Sequence, residues 1–293
     1  MQWRKFAIRL AMTGITRKKA AELLADSFGT QPQYSFADDQ YTVSDALHRT
    51  WTVVPAPEVS AQKLSNDHLV GANQLYQVRL CSPLLYRQDV TVLDDVLRRM
   101  EQNGGVLHET TGLAVLLEVT GLEDRQKYAD NLEHIYQSKG RLLQKALHRE
   151  FSALADCAEW EERGLVSFPI FSGSFDYNEV LSCIQLAQAI SQFAAERRSI
   201  RQKENTSSNE KFQLRTWLVR IGFVGAEFKF ARKMLTESLD GNSAWLRKTE
   251  MTEEKQEEVQ PEVVGEQDFT VQQKAAAAQD AVKFTEPDHG ITM

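Results

Sequence analysis

The stretch KFAIRLAMTGITRKKAA, residues 5 to 21, constrains this chain more than any other. Phe6 to Met12 is apolar enough for an interior strand, and Thr13-Gly14 supplies a turn. An amphipathic helix is then expected from Thr16 to Phe28, with Ala20, Leu24 and Phe28 on one face and Gly29 to stop it. A strand alternates faces, so Ile8, Leu10 and Met12 point one way while Arg9 and Ala11 point the other. A guanidinium buried without a partner is costly. That face therefore either meets solvent or lines a cleft.

Further strands are expected at TWTVV (50–54), LYQVRLCSPLL (75–85), GLAVLLEV (112–119) and LVSFPIFSGSF (165–175). GLAVLLEV is apolar on both faces, as a central buried strand is. Helical periodicity recurs over about 90–102, 125–148, 178–200, 211–221 and 226–239. Strands mixed with helices that gather toward the C-terminal half define an α+β class. Residues 30–49 and 55–74 read as loops, and 197–212 as a polar linker.

Charge divides the chain. Of the net charge of -7, residues Arg247 to Met293 carry 11 acids against 5 bases, leaving 30 acids and 29 bases in residues 1–246. The segment 247–293 has few large apolar residues and reads as a disordered acidic tail on a folded domain of residues 1–246. A neutral body argues against general nucleic-acid binding, which needs a basic face. No apolar run approaches the roughly 18 residues of a membrane span, so no membrane association is expected. The N-terminus makes a poor signal peptide, and Cys81, Cys157 and Cys183 are too widely spaced to suggest a disulfide or metal motif. A cytoplasmic setting is expected.

Catalytic motifs are sparse. There is no phosphate-binding glycine loop, no HExxH and no GxSxG. His134 reads as part of a solvated helix face, and His108-Glu109 as the cap of the Thr110-Thr111-Gly112 turn. The acidic run EWEERG (159–164) reads as a surface helix end. Cys81 shares a strand face with Arg79, where a cation would favour the thiolate, although a plain buried cysteine is the simpler reading. Arg9 and Arg79, each inside an apolar strand, are harder to dismiss.

The segments FAIRLAMTGITRKKAAELLADSFG, RTWTVV, VRLCSPLLY, GLAVLLEV, FPIFSGSF and RTWLVRIGFVGAEFKFARKMLTESLDGNSAW occur in that order. Together they resemble the amidoligase family of the carboxylate–amine ligase superfamily, which includes glutamine synthetase and glutamate–cysteine ligase. The resemblance implies a curved, mainly antiparallel sheet with helices packed on one side and a concave face for ATP, divalent metal and two substrates. It also implies that a carboxylate is phosphorylated and then displaced by an amine, with glutamates and histidine holding Mg²⁺. Against that pattern the residues of this chain depart systematically. Where the family has two glutamates in its first strand, this chain has Arg9 and Ala11. Ala56 stands at the family's Asp position and Arg79 at its next strand glutamate, while Ala114 and Leu116 replace two histidines. Pro169 and Ser172 replace an arginine and an asparagine. Glu118 remains as a residual acid, with Arg49 and Trp51. Packing residues fit the family and chemical ones do not, which points to a retired site on an intact scaffold.

Three functions follow as expectations. The first is a pseudoenzyme without cofactor, acting through a protein partner such as an intact amidoligase relative. The second is an ATP- and Mg²⁺-dependent ligase with relocated ligands drawn from Glu118, Glu58 and Asp89. The third is a metal-independent nucleotide or anion sensor whose pocket is Arg9, Arg49 and Arg79.

Overall fold

The structure, a computed structural model, describes residues 2–202 and 209–242. The acidic tail expected from residue 247, and the middle of the polar linker, lie outside the described residues. β1 (Phe6–Thr13) turns into α1 (Arg17–Phe28), whose N-cap Thr16 accepts a hydrogen bond from the Lys19 amide. β2 (Gln33–Ser35), β3 (Gln40–Ser44) and β4 (Thr50–Pro55) form a meander. A small hairpin, β5 (Gln62–Ser65) and β6 (His68–Gly71), precedes β7 (Val78–Cys81). Then come α2 (Val92–Gln102), β8 (Val106–Leu107), β9 (Leu113–Glu118), α3 (Arg125–Ala146), the single turn α4 (Trp160–Arg163) and β10 (Leu165–Phe171). Helices α5 (Tyr177–Glu196), α6 (Glu210–Arg220) and α7 (Lys229–Glu237) complete the described chain.

The main sheet is open, with strand order β10-β9-β1-β7-β4-β3-β2 and β8 paired to the end of β1. Every pairing is antiparallel. β1 is central because both of its edges are taken, by β7 on one side and by β9 and β8 on the other. Its alternate residues Phe6, Ile8, Leu10 and Met12 are fully buried in one continuous core with Leu24 of α1, Leu97 of α2, Ile135 of α3 and Ile190 of α5. Leu80, Val53, Val115 and Phe168 extend that buried face across the neighbouring strands. The α+β architecture, antiparallel sheet and helical C-terminal half are thus as the periodicity and the resemblance led one to expect.

The differences lie in weakly patterned segments. The expected loops at 30–49 and 55–74 contain β2, β3, β5 and β6, whose polar and exposed residues leave little apolar alternation to read. The strand read over 75–85 is only Val78–Cys81, after a turn of 3₁₀ helix at Gln74–Tyr76. At the outer edge of the sheet, Ser167 of β10 exchanges backbone hydrogen bonds with Asp156, and the exposed Pro169 follows two residues on.

The turn after β1 depends on a close backbone approach. Gly14 has φ +85°, and a Cβ there would stand 2.0 Å from the Gly104 carbonyl oxygen. A side chain would be strained by its dihedral angle and would also push the α2–β8 turn away. Gly14→Ala is expected to destabilise the fold by about 3 kcal/mol, read as a shift of the urea unfolding midpoint.

Candidate functional site

The face of the sheet opposite the helices is built by strand register. One transverse row runs Thr52, Cys81, Arg9, Ala114, and the next runs Val54, Arg79, Ala11. Beside them, Ser167, Leu116 and Ala7 make a third row. Arg9, Ala11, Arg79, Ala114 and Leu116, read from separate strands, therefore meet on one surface. Ala56 joins them by packing with Val59 against Ala11. Pro169 is exposed at the sheet edge, and Ser172 lies past the end of β10, away from this group.

Much of this face is filled by side chains. Leu116, Ala7 and Leu165 form a buried apolar cluster with Leu84 against it. Ala11, Ala56 and Val59 form a second. Between the clusters, the Arg9 guanidinium grips Glu159 as a fork, with Nη1 to Oε1 at 2.6 Å and Nη2 to Oε2 at 2.8 Å. Arg163 reaches the same carboxylate at 2.8 Å. Arg9 and Glu159 side chains are each 29% exposed, so the pair is shielded from water on most of its surface. The hydrogen bond that Arg9 donates to Glu159 raises the Arg9 pKa and holds the Glu159 carboxyl below its ordinary value. Two charge-assisted hydrogen bonds in parallel are the strong form of this contact.

Glu159 was not legible as a site residue, since EWEERG looks like a solvated helix end. The structure corrects that reading through its tryptophan. Trp160 is buried, donates its Nε1–H to the Val119 carbonyl at 2.9 Å and meets Tyr128 edge to face. That anchor places the residue before it over the sheet. A tryptophan inside an acidic run was the available signal.

Arg79 is paired with Glu58, from the loop after β4. Arg49 is a correction to the expected three-arginine pocket. It precedes Thr50 and shares strand parity with Trp51 and Val53, whose side chains are buried in the helix-side core. Its Nε donates to Asp45 at 2.8 Å, its Nη1 pairs with Asp89, and Trp51 donates to the same Asp45 oxygen at 3.3 Å. Burial would raise the Asp45 pKa, yet the Arg49 amide and guanidinium together hold it below the ordinary value. Arg49 therefore braces the β3–β4 turn and does not converge with Arg9 and Arg79.

The acids considered as relocated ligands are likewise dispersed. Glu118 pairs with Lys5 at 3.3 Å, Glu58 with Arg79, and Asp89 with Arg49. Among the described residues, no three His, Cys, Asp or Glu side chains gather as a metal cluster. Cys81 is half-buried, and its desolvation raises the thiol pKa despite the opposing pull of Arg9 and Arg79. Desolvation thus opposes the thiolate that a neighbouring cation would favour, in keeping with the plain cysteine taken as the simpler reading. His108 accepts the Thr111 amide at 3.2 Å through Nδ1, which is the turn cap expected for it.

The chain belongs to the amidoligase family, whose model, described as "Putative amidoligase enzyme", matches residues 2–163. That span runs from the approach to β1 through α4 and includes Arg9, Arg79, Ala114, Leu116 and Glu159. No curated protein and no solved structure matches the chain. Among the described residues, no helix is long and apolar enough to cross a membrane.

The Arg9–Glu159 fork has a testable signature. Arg9→Ala and Glu159→Ala are each expected to cost about 2 kcal/mol, because the first leaves Glu159 with the more exposed Arg163 alone and the second strands the Arg9 guanidinium. The double variant should cost less than the sum by about 1 kcal/mol in urea unfolding, the mark of a direct pair. Glu159 has a depressed folded pKa, so its contribution is present above the ordinary glutamate value and lost as pH falls through the folded one. Glu159→Gln should therefore flatten the acid-side decline of melting temperature between about pH 5 and pH 3.

Proposed function

We propose that this chain is a catalytically retired amidoligase that acts by holding a protein partner, with an intact member of the same family as the first candidate. The observation that carries this reading is the Arg9–Glu159 fork. Arg9 stands where the resemblance puts a metal-binding glutamate, and its charge is matched by a carboxylate of the chain itself. A second arginine, Arg79, stands at another such position and is matched by Glu58. Replacing two carboxylates by guanidinium groups changes the local charge by about +4, which repels a divalent cation.

The donor set does not fit Mg²⁺ and ATP. Magnesium takes oxygen ligands in a near-octahedral shell, usually one or two carboxylates with phosphates and water. Here Glu58, Glu118 and Asp89 each answer a different cation in a different part of the fold. Alanine and leucine side chains fill the remaining positions of the face. No step through a metal or a nucleotide is derived on such a surface. What the face supports is rigidity: paired charges and apolar plugs hold the scaffold in one shape.

Titration of the purified chain with ATP tests this by calorimetry, once with MgCl₂ and once with EDTA. No saturable heat is expected in either condition, while a catalytically complete amidoligase relative should co-elute with the chain in size-exclusion chromatography. Mg²⁺-dependent ATP binding would overturn the retired-site reading. Binding that persists in EDTA would instead establish an anion site on the paired arginines. Absence of co-elution would remove the intact relative as partner.

A further inference from the structure

A cavity of about 460 Å³ lies apart from the arginine face, bounded by the end of α3, the turn after β10, the first turns of α5, and α7. We propose that it binds an organic amine, a flexible diamine best, through the carboxylates of Glu179 and Glu237. The proposal is independent of the ligase reading, since none of Arg9, Arg79, Glu58 or Glu159 lines this space.

Unmatched charge is the first argument. Glu58, Glu118, Glu159 and Glu210 each have a cationic partner. Glu179 and Glu237 have none among the described residues, yet both line the same cavity. Lys145, at the end of α3, bonds Glu210 and Asp240 at 2.6 Å each. Arg149 donates to the Phe171 carbonyl at 2.7 Å and is not part of the lining. Glu179 sits in the first turn of α5, behind the Asp176 N-cap.

The rest of the lining selects an organic cation over an inorganic one. His148 and Cys183 share the cavity with the two glutamates, but among the described residues no three such groups gather closely enough to hold a metal. Leu147, Phe171 and Met234 supply an apolar floor suited to methylene groups. Cys183 adds to that floor, because burial first and Glu179 second keep its thiol neutral. A cavity of this size falls within the range of small-molecule sites, and two carboxylates beside apolar residues in one lining match an ammonium group on an alkyl chain.

Calorimetric titration of the full chain in 150 mM salt with 1,5-diaminopentane tests the inference, with n-pentylamine, 1,5-pentanediol and glutarate as comparators. Saturable binding is expected for the diamine, weaker binding for the monoamine, and none for the diol or the diacid. The double variant Glu179→Gln/Glu237→Gln should weaken diamine binding by about tenfold or more, whereas Glu162→Gln, on the far surface turn, should leave it unchanged. Met234→Trp should block entry. Glu237→Gln alone, on an exposed position, and the diol comparison keep the test decisive if the double variant unfolds. Diamine binding no stronger than diol binding, or equal in the wild type and the glutamine variants, would overturn the assignment. Preferential binding of glutarate would also overturn it.

Discussion

The cost of placing a guanidinium on a central strand organises this molecule. β1 is hydrogen-bonded on both edges, and its other face is sealed into the helix-side core, so Arg9 has only one direction in which to find a counter-charge. The partner it finds is 150 residues away in the chain. To deliver it, α4 must be pinned, and Trp160 does so by filling a gap beside Tyr128 and satisfying the Val119 carbonyl. A local electrostatic demand is thus met by long-range packing, and the fork closes the sheet face as it does so.

The same logic repeats at Arg79 and Arg49. Arg79 draws in the loop after β4, and Arg49 draws together the β3–β4 turn and the start of the segment leading to α2. An enzyme of the superfamily would leave charges uncompensated on such a face until substrate and metal arrive, and would spend stability to keep them so. Here the compensation is internal. The face gains stability from charges that the chain pairs within itself.

The sheet was readable where burial imposes alternation. Ile8, Leu10 and Met12 against Arg9 and Ala11 marked both the strand and its two environments, and Arg79 fell on the same surface by the same parity. The hairpin β5–β6 was missed because its residues are largely exposed, so no apolar rhythm distinguishes it from a loop. Parity also bore on Arg49, which keeps step with Trp51 and Val53; grouping it with Arg9 and Arg79 set that signal aside. The partners Glu58 and Glu159 could not be read at all, since an ion pair across the fold leaves no trace in local spacing. The unmatched pair Glu179 and Glu237 is likewise a product of tertiary assembly, arising from the ends of separate helices.

Pro169 carries a consequence of its own. Ser167 turns both its backbone groups outward to Asp156, and the next outward-facing position on β10 is a residue with no N–H to donate. A strand from another molecule seeking to lengthen the sheet at this margin would meet a gap in the ladder within two residues of its start. Pro169 thus leaves a fibre-forming contact at this margin without a foothold.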